Sequence, residues 1–71
     1  MHDSVYKVIT IVGTSTESWE KAAKFAVERA SESLRDLRIA QVEEQDLVIE
    51  NGKVGGYRVK LKVSFKYEGK H

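Results

Sequence analysis

Three carboxylates lie close together in the sequence, at Glu43, Glu44 and Asp46. A hard cation such as calcium is held by several carboxylate and carbonyl oxygens, so this group is a candidate site for a divalent metal. The segment lacks the loop spacing of an EF-hand. Two interpretations therefore stay open: a divalent-cation site to which identical copies of the chain contribute, or carboxylates that are solvated or form salt bridges.

Basic side chains alternate with apolar ones in the segment "YRVKLKVSFKY", residues 57 to 67. In a strand this alternation separates a cationic face from an apolar face. The cationic residues are Arg58, Lys60, Lys62 and Lys66, and the apolar ones are Tyr57, Val59, Leu61, Val63, Phe65 and Tyr67. The cationic face either lines a phosphate-binding surface or pairs with carboxylates of strand two and of neighbouring chains. Opposite charges across strands commonly stabilise sheets, which favours the second interpretation.

The residue types argue against an enzyme. The chain has no cysteine, and its two histidines are at positions 2 and 71. Covalent catalysis needs a nucleophile with a base within reach, and nothing in the sequence supplies that pair. The same counts disfavour a zinc cluster, and His2 and His71 are expected to be disordered ends rather than metal ligands.

Charge and hydropathy indicate which partners to expect. Twelve Lys and Arg residues nearly balance eleven Asp and Glu residues, which argues against a dedicated nucleic-acid binder. No apolar run approaches the roughly 20 residues needed to span a bilayer, and no secretory signal is recognisable, so we expect a cytoplasmic protein without a membrane partner. A domain of 71 residues buries only about 60% of its unfolded surface. We therefore expect one domain, residues 1–71, supported by homo-oligomerisation.

The candidate ligand-binding residues must be positioned by strands and a helix, which the sequence predicts in turn. Residues 5–12 predict a first strand that ends at Gly13 and is apolar on both faces. A helix should follow, with caps among Thr14, Ser15 and Thr16 and a capping-box spacing from Thr14 to Glu17. Its apolar stripe would comprise Trp19, Ala22, Ala23, Ala26, Ala30, Leu34 and Leu37, opposite the polar residues Glu20, Lys24, Glu28, Glu32 and Arg35. Phe25 lies off this stripe and is expected to contact another subunit, whereas Trp19 should pack in the core.

The second half of the chain predicts a hairpin. Strand two should run from Arg38 to about Ile49, and Asn51-Gly52 should form the turn to strand three. The inward parity of strand two changes at Glu43 and Glu44, as a β-bulge would produce. The predicted fold is therefore α+β in βαββ order, a three-stranded antiparallel sheet with one helix packed on it.

Taken together, these segments resemble the dodecin family over nearly the whole chain. The strongest points of similarity are "VGTS" at residues 12–15 and the pattern Y-x-V-x-L-x-V-x-F at residues 57–65. The resemblance implies a homododecameric hollow shell that commonly binds flavin between neighbouring sheets without catalysing a reaction. In many dodecins, Trp on the second strand stacks on the isoalloxazine ring and Gln on the third strand hydrogen-bonds its edge.

This chain departs from that pattern at both positions. Alignment with the family places Ile39 at the stacking position and Arg58 at the Gln position, and Glu44 falls where some dodecins carry an acidic residue near the ligand. Isoleucine cannot reproduce the geometry of aromatic stacking, so we expect weakened flavin binding. The resemblance thus implies a shell that sequesters flavin or a related nucleotide cofactor, and the alternative is a calcium-binding variant that does not bind flavin.

Overall fold

A computed structural model describes residues 4–66 of the chain. It contains β1 (Tyr6–Ser15), α1 (Trp19–Ala30), β2 (Leu37–Glu50) and β3 (Lys53–Lys66). β3 lies in the centre of the sheet and pairs antiparallel with β1 on one side and β2 on the other. The predicted α+β fold in βαββ order is therefore confirmed. His2, His71 and Tyr67 lie outside the described residues.

The start of the helix differs from the prediction. β1 does not end at Gly13 but continues to Ser15, because Gly13, Thr14 and Ser15 pair with residues 57–59 of β3. The N-cap is Ser18, whose hydroxyl accepts a hydrogen bond from the Lys21 backbone N–H at 3.0 Å. The Thr14 capping box is thus wrong, since Thr14 pairs with Arg58 in the sheet and the helix begins only at Trp19.

The end of the helix also comes earlier than the apolar stripe predicted. α1 ends at Ala30, and the Ser31 hydroxyl donates to the Glu28 carbonyl oxygen at 2.7 Å. Serine competes with helical hydrogen bonds in this way, which favours a helix end. Leu34 and Leu37 are therefore not helical, although Leu37 packs against the core as the first residue of β2.

The hairpin and the bulge agree with the prediction. Glu50 pairs with Lys53 across a two-residue turn, and Asn51 and Gly52 both have positive φ angles, 53° and 73°. Positive φ at both central positions is the geometry that Asn-Gly accepts most readily in tight hairpins. The register of β2 shifts between Val42 and Glu44, which leaves Glu43 as an extra residue opposite β3.

The buried core of one chain is small. Five apolar residues are buried between α1 and the sheet: Ala22, Ala26, Val59, Leu61 and Val63. A 12-residue helix is roughly 18 Å long, whereas a 14-residue strand extends roughly 46 Å. The helix therefore covers less than half of the length of β3. Among residues 4–66, no helix is both long and apolar enough to cross a membrane.

Candidate functional site

The sheet has one face that α1 does not cover, and this face holds the sequence-predicted site. Val59, Leu61 and Val63 of β3 pack against the helix, so the alternate residues point to the opposite side. We call this opposite side the free face. It comprises Arg58, Lys60, Lys62, Ser64 and Lys66 of β3, Tyr6, Val8, Thr10, Val12 and Thr14 of β1, and Ile39, Gln41, Glu44 and Asp46 of β2.

The bulge adds a further carboxylate to the free face. Glu44 lies opposite Lys60, and Asp46 lies opposite Arg58. Glu43 is the extra residue, and its carboxylate reaches Lys62, at 3.0 Å from Nζ. An extra residue shifts the alternation of the strand, so consecutive acidic residues can serve the same face. All three candidate metal ligands therefore lie on the face that carries the basic residues of β3.

Arg58 and Asp46 form a two-point ion pair. The guanidinium donates from Nε to Oδ1 and from Nη2 to Oδ2, each at 2.8 Å. The hydrogen bonds from Arg58 and its charge lower the pKa of the Asp46 carboxyl below its usual value, against the opposing effect of desolvation. The same carboxylate raises the pKa of Arg58, and the charge of Glu44 adds to that effect. Both groups are therefore charged at neutral pH.

For Arg58 and Lys62, two ion pairs confirm the prediction that the cationic face pairs with carboxylates of strand two. Lys60 lies directly opposite Glu44, but no salt bridge joins them within one chain. A single exposed contact such as Lys62–Glu43 contributes at most about 1 kcal/mol, whereas the two-point geometry of an arginine–carboxylate pair such as Arg58–Asp46 can exceed that value. These ion pairs matter for function because the paired basic and acidic groups are less available to a ligand.

The three predicted metal ligands do not converge within a single chain. Across residues 4–66, no group of three or more Asp, Glu, His or Cys side chains is placed to hold a metal ion. Glu43 is paired with Lys62 and Asp46 with Arg58, while Glu44 has no salt bridge within the described residues. A divalent-cation site at these residues would require carboxylates from another copy, and the set of Glu43, Glu44 and Asp46 stays a prediction.

The two positions aligned with the family pocket lie far apart in one chain. Ile39 pairs with Ser64, six residues along β3 from Arg58. At the rise of a strand, six residues correspond to roughly 20 Å. Ile39 is 68% exposed, so its side chain is available to a ligand or to another subunit. A flavin ring that contacted both positions would therefore have to lie between two copies of the chain.

Sequence reasoning missed a link between the helix and Asp46. The indole Nε1–H of Trp19 donates to the Asp46 backbone oxygen at 3.0 Å, and the Trp19 ring meets Tyr57 edge-on at 5.2 Å. Trp19 also packs against the core, as predicted. No local pattern signals this hydrogen bond, because 27 residues separate its two partners.

A second surface feature lies away from the free-face charges, where α1 meets the outer edge of β1. This groove has a volume of about 500 Å³ and is lined mainly by apolar groups, including Ile11, Phe25 and Ala30. Phe25 is 58% exposed there. The groove contains neither Ile39 nor Arg58, so it is a separate feature from the family-aligned pocket.

Comparisons with known proteins give a consistent family relationship. A family model described as Dodecin matches residues 5–68. The calcium dodecin of Mycobacterium tuberculosis is 56% identical over 63 residues, which is 89% of each chain. The dodecin of Thermus thermophilus is 41% identical over 64 residues, covering 90% of this chain and 93% of that protein.

Solved structures agree with the sequence matches. The structure of dodecin from Streptomyces coelicolor superimposes with a TM-score of 0.91 at 37% identity, covering 99% of this chain and all of the other. The crystal structure of calcium dodecin from Mycobacterium tuberculosis gives a TM-score of 0.83 at 51% identity, covering 96% of this chain and 97% of the other. That protein is described as calcium chelating, with a novel calcium-binding site.

Proposed function

Because the chain belongs to the dodecin family, we propose that it forms a non-enzymatic oligomeric shell, a homododecamer, that binds or sequesters a small ligand. The ligand class suggested by the family is a flavin or a related nucleotide cofactor. The binding sites would lie between the free faces of neighbouring copies. Such a shell would store, scavenge or protect its ligand.

The observation that carries this proposal is the amount of apolar surface that one chain leaves uncovered. Against five buried core residues, ten large apolar side chains are exposed: Val5, Tyr6, Val8, Val12, Phe25, Ile39, Val42, Leu47, Ile49 and Val54. They lie on both faces of the sheet, on the helix and near the hairpin turn. Extensive exposed apolar surface on a small domain indicates contact with other chains. Self-assembly would bury this surface and supplement the small core.

The free face supports weakened binding of flavin. Ile39 offers no aromatic platform, which would contribute about 0.5–1.5 kcal/mol beyond area burial. Arg58 replaces an amide that could both donate and accept hydrogen bonds, and its Nε–Nη2 edge is bound to Asp46. We therefore propose that flavin is not the preferred ligand of this chain.

The alternative function is binding of calcium or another divalent cation. The 56% identical relative is named calcium dodecin, and this chain carries carboxylates at Glu43, Glu44 and Asp46 on one face. Glu44 is the member of this set without a salt bridge among the described residues, so it is the carboxylate most available to a cation. Related copies would have to supply the remaining oxygen ligands.

One preparation of purified protein tests both parts of the proposal. Light scattering after gel filtration should give a mass about twelve times the 8.1 kDa of one chain. The absence of a yellow colour would show that the protein is isolated without flavin. If calcium binds the folded state, the melting temperature of this preparation should be several degrees higher with calcium than without it. Glu44→Gln should abolish that rise, and Glu20→Gln, an exposed carboxylate on α1, should retain it.

Each outcome has a distinct meaning. A monomeric mass at micromolar concentration would contradict the shell. An unchanged melting temperature at millimolar calcium would remove the cation alternative and leave the shell intact. Equal responses of the two variants would show that calcium acts through general charge rather than through Glu44.

A further inference from the structure

We propose that Asp46 is a positioning residue that closes the Nε–Nη2 edge of Arg58 to phosphate groups, so that the free face discriminates against phosphorylated ligands. The inference rests on the proposed function in one respect, namely that ligands reach the free face. It assigns a role to Asp46 that differs from metal binding. The ligand chemistry concerned is a phosphate monoester or inorganic phosphate.

The geometry of the ion pair carries the argument. Arginine recognises carboxylates and phosphates through parallel N–H donors, and the two kinds of anion compete for the same edge of the guanidinium. In this chain the Nε–Nη2 edge of Arg58 is bound to both Asp46 oxygens, each at 2.8 Å. The carboxylate also neutralises the charge that would attract an anion. An approaching phosphate must therefore displace Asp46 before it can use this edge.

Asp46 is fixed by a second contact on the other side of the strand. Its backbone oxygen accepts the indole N–H of Trp19 at 3.0 Å, and Trp19 packs against Tyr57 and the core. The β2 backbone at Asp46 is thus anchored to the start of α1. An anchored backbone limits how far the carboxylate can move away from Arg58, so the pair is pre-organised.

Lys62 and Glu43 provide an internal comparison. They also form a β3–β2 ion pair on the free face, but through one contact at 3.0 Å from an ammonium group. Lysine is a compact point charge without the two-point geometry of arginine. Neutralising Glu43 raises the net charge by the same amount as neutralising Asp46 but releases only Lys62. The two substitutions therefore separate release of the guanidinium from a general gain in positive charge.

The test compares Asp46→Asn with Glu43→Gln in the full chain. The probes are inorganic phosphate, followed by phosphorus NMR and calorimetry, and riboflavin against riboflavin 5′-phosphate, followed by flavin fluorescence. Asp46→Asn should strengthen binding of both phosphate probes by about tenfold or more, and should strengthen binding of riboflavin by clearly less than that of riboflavin 5′-phosphate. Glu43→Gln should change phosphate affinity by no more than about fivefold, the factor that corresponds to 1 kcal/mol.

Two control variants test whether the effect of Asp46 depends on its pairing with Arg58. Asp46→Glu can still pair with Arg58 and should bind phosphate as weakly as the parent. Combining Asp46→Asn with Arg58→Gln should remove the gain. Emission from Trp19, the only tryptophan, reports whether each variant keeps its fold, since its hydrogen bond uses the backbone of residue 46.

Glu44 requires one further pair of variants, because its charge already acts on Arg58. If Glu44 captures the released guanidinium, Asp46→Asn alone shows no gain. Asp46→Asn with Glu44→Gln should then bind phosphate more tightly than Glu43→Gln with Glu44→Gln, although both carry the same net charge. Equal phosphate affinity in these two double variants would overturn the inference. Inorganic phosphate reports on Arg58 even if no flavin binds, so failure of the proposed flavin or calcium function would be a separate result.

Discussion

Substitution of Gly13 by alanine should destabilise the protein by wedging α1 away from the sheet. A Cβ atom at Gly13 would lie 2.4 Å from the Ala22 carbonyl oxygen and 2.7 Å from the Ala26 Cβ. The first neighbour is helix backbone, so relief requires movement of the helix rather than of one side chain. Ala22 and Ala26 are two of the five buried core residues, and such a movement would loosen their packing.

The expected cost is about 1–3 kcal/mol, the usual range for overpacking a core. Alanine restricts the unfolded chain more than glycine, which offsets at most about 1 kcal/mol. A chain of this length has a stability of roughly 4–10 kcal/mol per chain before assembly, so the loss is a sizeable fraction. Urea denaturation at a fixed protein concentration measures it, because assembly makes the apparent stability depend on concentration.

Gly56→Ala is the matched control for this experiment. Gly56 is also buried in the sheet, but a Cβ there would meet its neighbours at 3.6 Å or more, which is ordinary contact. Gly56→Ala should therefore be as stable as the parent or more stable by up to about 1 kcal/mol, because alanine restricts the unfolded chain and meets no clash in the folded one. If Gly13→Ala were as stable as Gly56→Ala, the close approach of the helix to β1 would not limit stability and the reasoning would be refuted.

Two further predictions concern assembly and pH. Phe25→Lys should weaken self-association, because Phe25 is exposed in an apolar groove; an unchanged mass by light scattering would contradict a contact there. The folded-state pKa of Asp46 lies below its ordinary 3.8, so its pairing with Arg58 stabilises the protein above that pH and is lost as pH falls through the lowered pKa. Urea midpoints of the parent and Asp46→Asn should therefore converge below about pH 3.8, and a constant difference down to pH 2 would argue against the pair.

The residue pattern predicted the fold because its strongest signals are local. Strict alternation in residues 57–65 defines the two faces of β3, and Asn51-Gly52 supplies the positive φ angles of the turn. The bulge at Glu43 was also predictable, since the apolar parity of β2 changes there. Each of these features depends on neighbours within a few residues.

The limits of the helix were not predictable from the same kind of pattern. Thr14 and Ser15 are good helix caps, but pairing with β3 holds them in the sheet, and Ser18 becomes the cap instead. The apolar spacing continued to Leu37 although the helix ends at Ala30. In both cases a contact with a distant segment outweighed the local preference.

The candidate site was predictable in its residue types but not in its pairing. Opposite charges on β2 and β3 indicated cross-strand ion pairs, yet the partner of each basic residue depends on the register after the bulge. The anchoring of Asp46 by Trp19 had no sequence signal. The ligand pocket itself would need two copies of the chain, and a single sequence does not specify how they are arranged.

The most direct test of the account is titration of riboflavin with the parent protein and with Ile39→Trp combined with Arg58→Gln. Quenching of riboflavin fluorescence measures the affinity in both proteins. We expect a parent isolated without flavin and a clear gain in the double variant, since two lost contacts of about 1–2 kcal/mol each correspond to roughly one to three powers of ten. Tight, fully quenched binding by the parent would contradict the claim that this chain has a weakened flavin pocket, and no gain in the double variant would show that Ile39 and Arg58 are not the pocket positions.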